Sequence, residues 1–166
     1  MSTTDDVARI DVPIGFDIPA GWRAVDPSSA GAAGAAFVVV RDGDQRTFRP
    51  NVTIGVDRRA DDADVEAAAA ESVRRLAATV LDVSVVDNQP VGNERAPGVA
   101  QVLRLRTEDG ELVQSQVHLT IPLGDTPHDR LLVELACTCR PEQTPSVVAD
   151  FQRLVASFHV RQGVQR

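Results

Sequence analysis

Leu131-Leu132-Val133-Glu134-Leu135-Ala136-Cys137-Thr138-Cys139 is a run of nine residues with strand character, and it passes through Arg140-Pro141-Glu142-Gln143 into an amphipathic pattern closing at Ser157-Phe158. Alternation puts Leu131, Val133, Leu135, Cys137 and Cys139 on one face and Leu132, Glu134, Ala136 and Thr138 on the other. Apolar residues on both faces predict a strand inside a sheet. Beyond it, Val147, Val148, Phe151, Leu154, Val155 and Phe158 recur at helical spacing. A C-terminal helix over about 144–159 is therefore expected to close the odd-numbered face, with Thr144 as N-cap and Pro145 as first helical residue. Cys137 and Cys139 fall about 6.5–7 Å apart on one face of that strand, the outer limit for a disulfide. Two reduced core thiols are expected, and Cys-x-Cys without a second ligand pair makes a poor zinc site.

Upstream lies a hairpin. Val99 to Thr107 and Leu112 to Ile121 flank Glu108-Asp109-Gly110-Glu111, where Asp-Gly supplies the residues of a tight turn. On its second arm Val113, Val117, Leu119 and Ile121 share one parity and Gln114, Gln116, His118 and Thr120 the other, which predicts a dry face and a polar face. Before it, Ser84-Val85-Val86 reads as a short strand followed by a loop through Asn88-Gln89-Pro90 and Ala96-Pro97-Gly98. From Asp61 to about Leu81 the period becomes helical, with Val65, Ala69, Val73, Leu76 and Val80 on the stripe, acids at the start and Arg74-Arg75 late. Further upstream, Val12 to Val25 reads as a first strand and tight turn, and Phe37 to Val40 and Val52 to Val56 as strands. Asp42 and Asp44 are turn residues, because the other oxygens of a calcium loop are missing.

The 166 residues suit one domain, 1–166, with frayed ends at about 1–8 and 161–166. The formal charge is -7 and all 17 basic residues are arginine. No clustered basic footprint for nucleic acid is present, and without lysine neither Schiff-base chemistry nor a Walker-type phosphate lysine is available. Met1 to Val7 carries no basic and apolar leader, and no window has the length of a membrane span, so a cytoplasmic chain without membrane insertion is expected.

Phe16-Asp17-Ile18-Pro19-Ala20-Gly21-Trp22, Pro50-Asn51-Val52-Thr53-Ile54, the long first helix and the ending Phe151 to Ser157-Phe158 together resemble the PsbP-like family. Its fold is shared by the extrinsic photosystem subunit, the yeast Ran-binding import factor and bacterial LpqN-like proteins. The resemblance implies an α/β/α sandwich with a mainly antiparallel sheet of six to seven strands. It implies protein binding as the common habit and carries over no catalytic residue, since a shared fold is not a shared activity. The chain departs from the LpqN-like lipoproteins in lacking a lipidated cysteine near Met1.

No constellation for catalysis is evident. His118, His128 and His159 lack metal-ligand spacing, and no serine sits in a nucleophile elbow. The surface singled out for binding is the polar sheet face: Arg104, Arg106, Gln114, Gln116, His118, Glu134 and Thr138, whose hydrogen-bonding groups suit a peptide or small anion. The plainer reading is a solvated face on which Arg104, Arg106 and Glu134 form cross-strand ion pairs. The expected function is a non-enzymatic interaction module, an adaptor or chaperone for another protein, acting as a monomer or homodimer without cofactor or metal. It would use the polar face or a groove beside the first helix. The alternatives are a small-molecule or lipid binder with a pocket between the final helix and the sheet, and an enzyme with a site near His118 and Glu134.

Overall fold

A computed structural model describes residues 14–32, 34–43, 48–59, 64–123 and 129–160. In chain order the elements are β1 (Ile14–Gly15), β2 (Trp22–Val25), β3 (Phe37–Arg41), β4 (Asn51–Arg59), α1 (Val65–Ala77), β5 (Asp82–Gly92), β6 (Pro97–Thr107), β7 (Gly110–Pro122) and β8 (Arg130–Cys139). A 3-10 turn (Pro141–Gln143) then leads into α2 (Thr144–Ser157) and β9 (His159–Val160). Seven strands form one antiparallel sheet in the order β2-β3-β4-β8-β7-β6-β5, and β1 pairs separately with β9. With a helix on each face this is the expected sandwich. The β8 strand occupies the middle of the sheet, between β4 and β7, as its two apolar faces require.

The odd-numbered face of β8 forms the main core. Leu131, Val133, Leu135, Cys137 and Cys139 pack with Val39, Val52 and Ile54 of the neighbouring strands beneath Val147, Phe151 and Leu154 of α2. The Trp22 indole donates to Asp150 Oδ2 at 2.9 Å and Arg41 Nη1 to Ser146 Oγ at 2.9 Å, tying the edge strand β2 and its neighbour β3 to the same helix. Both cysteines are free and buried, and burial pushes the Cys137 thiol up to about 12. The apolar pocket expected between final helix and sheet is thus occupied by side chains: Val147, Phe151 and Leu154 are 0%, 4% and 1% exposed.

Several expected boundaries move, each for a local reason. Helix α1 stops at Ala77 rather than near Leu81, because the Leu81 amide already bonds Arg106 O at 2.9 Å as the chain joins the sheet. Its predicted first residues, 61–63, lie outside the described residues, as do His128, Asp44 and the expected frayed ends. Helix α2 begins one residue early. Gln143 is its N-cap, and the preceding turn is held by Arg140 N donating to Gln143 Oε1 at 2.8 Å, so Thr144 and Pro145 are already helical. It ends at Ser157, since Phe158 turns extended and His159 pairs with Gly15.

The expected loop is mostly strand instead: Asn88-Gln89-Pro90 lie in β5 and Pro97-Gly98 in β6, long paired strands with Ala96 in the turn between them. Proline is tolerated because β5 is an edge strand and Pro97 is the first residue of its own. The ladder slips at Val86, which is bulged out between Val85 and Asp87.

Candidate functional site

On the other face of the sheet α1 lies over β5, β6 and β7. It turns Val65, Ala69 and Ser72 downward, capped at its start by Asp64 Oδ1, which accepts from Glu66 N and Ala67 N. The layer beneath it sets polar groups beside the apolar Val99 and Leu103. Gln101, Gln116, His118 and Thr120 are buried to 3% exposure or less, so the polar parity of β7 is the covered side and not a solvated one.

The hydrogen bonds in this layer have one consistent direction. Gln101 Nε2 donates to the backbone carbonyl of Ala69 at 3.1 Å, which orients its amide. The same nitrogen donates to Gln116 Oε1 at 2.8 Å, so Gln116 Nε2 points the other way and donates to Ser72 Oγ at 2.9 Å. Ser72 in turn donates to Glu134 Oε2 at 3.3 Å. His118 Nε2 lies 2.9 Å from Gln116 Oε1 and must carry the proton, because that oxygen can only accept. The imidazole therefore presents a bare lone pair at Nδ1, which is buried and has no hydrogen-bond partner among the described residues. Burial lowers the His118 pKa, the Glu134 carboxylate opposes that, and Arg75 reinforces it.

Beside the helix is a groove. At about 4.8 Å between strands, seven strands are about 29 Å wide, whereas one helix is about 10–12 Å across, so α1 leaves part of its face open. The opening is a groove of about 670 Å³ over β4 and β8, floored by Gly55 and Leu132 and walled by Ala67, Ala68 and Glu71 of the helix. A Cβ built on Gly55 would meet nothing within 4 Å. At the inner wall Glu134 Oε1 accepts from Arg75 Nη2 at 3.2 Å and stands 3.9 Å from His118 Nδ1.

The seven residues of the expected polar face divide accordingly. Gln114, Gln116, His118, Glu134 and Thr138 come together on the α1 side, where Gln114 Nε2 donates to Thr138 Oγ1 at 2.8 Å. Arg104 and Arg106 do not join them. The hairpin closes with Thr107 opposite Gly110, which sets Arg104 across from Val113 and Arg106 across from Glu111, on the opposite face of the sheet. The expected ion pairing of these arginines with Glu134 is therefore corrected: Glu134 pairs with Arg75 of the helix. Of the seven, Glu134 lines the groove.

Ser72, Arg75, Gln101 and Gly55 were not anticipated. Gln101 carried a signal, as a lone polar residue on the Val99, Leu103, Leu105 parity.

By sequence alone no family model and no curated protein matches the chain. Solved structures do. LpqN of Mycobacterium tuberculosis, described as involved in cell envelope biogenesis, superposes with a TM-score of 0.65 at 12% identity, over 90% of this chain and 83% of that one. Cyanobacterial PsbP from Synechocystis gives 0.61 at 14% identity, over 89% and 86%. The chain has the PsbP-like fold. A third PsbP-like structure, the Ran-binding protein Mog1p of Saccharomyces cerevisiae, gives 0.51 at 14% identity, over 89% and 90%. None of the three is described as an enzyme. No helix among the described residues is long and apolar enough to cross a membrane.

Proposed function

We propose that this chain is a non-enzymatic protein-interaction module that receives a segment of a partner protein in the groove beside α1. The observation that carries the reading is the groove itself: about 670 Å³, floored by Gly55 and Leu132 and lined by the charged groups of Asp64, Glu71, Arg74, Arg75 and Glu134. A small apolar centre within a polar surround is the usual anatomy of a protein interface. That yeast Mog1p binds Ran is consistent with such a use of the PsbP-like fold. A catalytic role for His118 and Glu134 fits less well, because the imidazole is wholly buried and its Nδ1 is 3.9 Å from the carboxylate, beyond hydrogen-bond reach.

The Gly55→Val variant tests this. Open space around its Cβ means no clash, and replacing a strand glycine should stabilise the chain by roughly 0.5–1 kcal/mol while placing a branched side chain in the groove. Panning a random-peptide display library against the full chain should yield peptides that lose about tenfold or more in affinity on Gly55→Val, the equivalent of 1.4 kcal/mol. Recovery of no peptides, or only of peptides indifferent to the substitution in a normally folded variant, overturns the reading.

A further inference from the structure

Acids outnumber basic residues 24 to 17 in this chain, and most of its arginines have a carboxylate or open water to turn to. Arg23, Arg58, Arg74, Arg75 and Arg153 each meet an acid. Arg41, Arg49 and Arg140 do not: all three are half-buried and none has an ion pair among the described residues. A guanidinium partly withdrawn from water without a counter-charge costs stability, and these three share one corner of the molecule.

That corner holds a small cavity of about 70 Å³ between the end of β3 and the start of α2, its lining including Arg41, Asp42, Phe48, Arg49 and Gln143. The surroundings are well fixed. Gln143 Oε1 accepts from Arg140 N at 2.8 Å and Gln143 Nε2 donates to Phe48 O at 3.0 Å, which pins the segment 48–50 to the N-cap of the helix. Arg41 N donates to Pro50 O at 3.0 Å and Arg41 Nη1 to Ser146 Oγ at 2.9 Å, so the residue is held at both its ends while other N–H groups of its guanidinium stay free to donate. Arg140 Cζ lies 6.0 Å from the centre of the Phe48 ring, a contact that leaves its charge in place. The Arg49 guanidinium has no hydrogen-bond partner among the described residues. Asp42, the acid on the lining, already accepts from Arg23 Nε at 2.9 Å. Arg23, Arg41, Arg49 and Arg140 thus share this corner with two described carboxylates, Asp42 and the exposed Glu142.

We propose that this cavity is a subsite for a phosphoryl group, held by Arg41 and Arg49, with Arg140 adding charge from beside Phe48. Each guanidinium presents a fork that takes two oxygens. A carboxylate fills one such fork, whereas a phosphoryl group brings three terminal oxygens and nearly two charges, enough for two forks. The same chemistry is offered by free phosphate and by a phosphorylated side chain. The subsite lies by α2 and is independent of the groove beside α1.

The test titrates the full 15N-labelled chain with sodium phosphate, with the capped tripeptide Ala-phosphoserine-Ala, with its glutamate counterpart, and with sodium chloride at matched ionic strength. Expected are saturable shifts of the Gly43, Phe48 and Gln143 amides with a phosphoryl probe, none with chloride, and much weaker binding of the glutamate peptide. Affinity should fall about tenfold in Arg49→Gln and be partly kept in Arg49→Lys, which has the charge without the fork. Tighter binding of the phosphopeptide than of phosphate assigns the subsite to a phosphorylated side chain, and the reverse order assigns it to the free ion. No saturable shift with either phosphoryl probe, equal binding of the glutamate peptide, or an unchanged affinity in Arg49→Gln overturns the proposal. If Arg49→Gln disturbs amides far from the cavity, Arg140→Gln takes its place: weaker binding there supports the subsite and unchanged binding overturns it.

Discussion

Replacing Gln116 by leucine strikes the buried polar layer at its centre. The Gln116 side chain is 1% exposed and its amide accepts from Gln101 Nε2 and His118 Nε2 while donating to Ser72 Oγ and Gln114 Oε1. Leucine has similar bulk and none of these groups. Two buried donors then lose a partner: one hydrogen of Gln101 Nε2, whose other still reaches Ala69 O, and the single N–H of His118. Each costs about 1–3 kcal/mol. Ser72 keeps Glu134, and Gln114 is partly exposed and turns to water. Burying leucine returns about 1.5–3 kcal/mol, so the net loss is about 2 kcal/mol. In urea, with a slope of about 2 kcal/mol per molar, the unfolding midpoint should fall by about 1 M without a change of slope. Adding His118→Leu removes the stranded imidazole, so the double variant should be more stable than the sum of the single ones, by about 0.5–3 kcal/mol of coupling. An unchanged midpoint in Gln116→Leu, or strict additivity in the double variant, would refute the network as described.

Three further outcomes are expected. Because burial depresses the His118 pKa, the unfolded chain takes up a proton below its ordinary pKa of about 6.5 that the folded chain refuses; stability should therefore fall as pH drops from about 6.5 toward the depressed native value, with a slope of up to about 1.4 kcal/mol per pH unit. Urea midpoints taken across that window should show a shallower acid limb in His118→Gln than in the parent chain. Cys137, buried and with its thiol pushed up to about 12, should resist iodoacetamide at pH 8 in the folded chain and react on unfolding, read by mass spectrometry; prompt native labelling would contradict its place in the core. Gly98→Ala would put a Cβ 2.5 Å from Leu119 Cδ2 and 2.7 Å from His118 O, so a loss of about 1–3 kcal/mol is expected by thermal melting, whereas an unaltered melt would mean that β6 and β7 shift apart freely.

Where one residue's neighbours along the chain decide its setting, the sequence was sufficient. The two-faced apolarity of Leu131 to Cys139 is enough to place β8 at the centre, and the stripe through Phe151 and Leu154 is enough to close its odd face. The even-numbered face of β7 was misread for a different reason. Gln116 and His118 have the parity of a solvated surface, and only the position of α1, set by long-range packing, turns that surface inward. The separation of Arg104 and Arg106 from Glu134 hung on a hairpin register that a shift of one residue would have reversed. A groove beside the first helix was expected, but its lining was not legible, since it arises from the part of the sheet that a single helix does not reach.

The central place of β8 also orders the making of the molecule. Strands β2, β3 and β4 are synthesised first, yet the far side of β4 has no partner until β8 arrives about eighty residues later in the chain. At about 5–20 residues per second, the early meander waits roughly 4–16 s on the ribosome with an unpaired strand at its margin. The last strand of the main sheet to emerge is the one that joins its two halves, so the cohesion of the sheet waits on its latest strand.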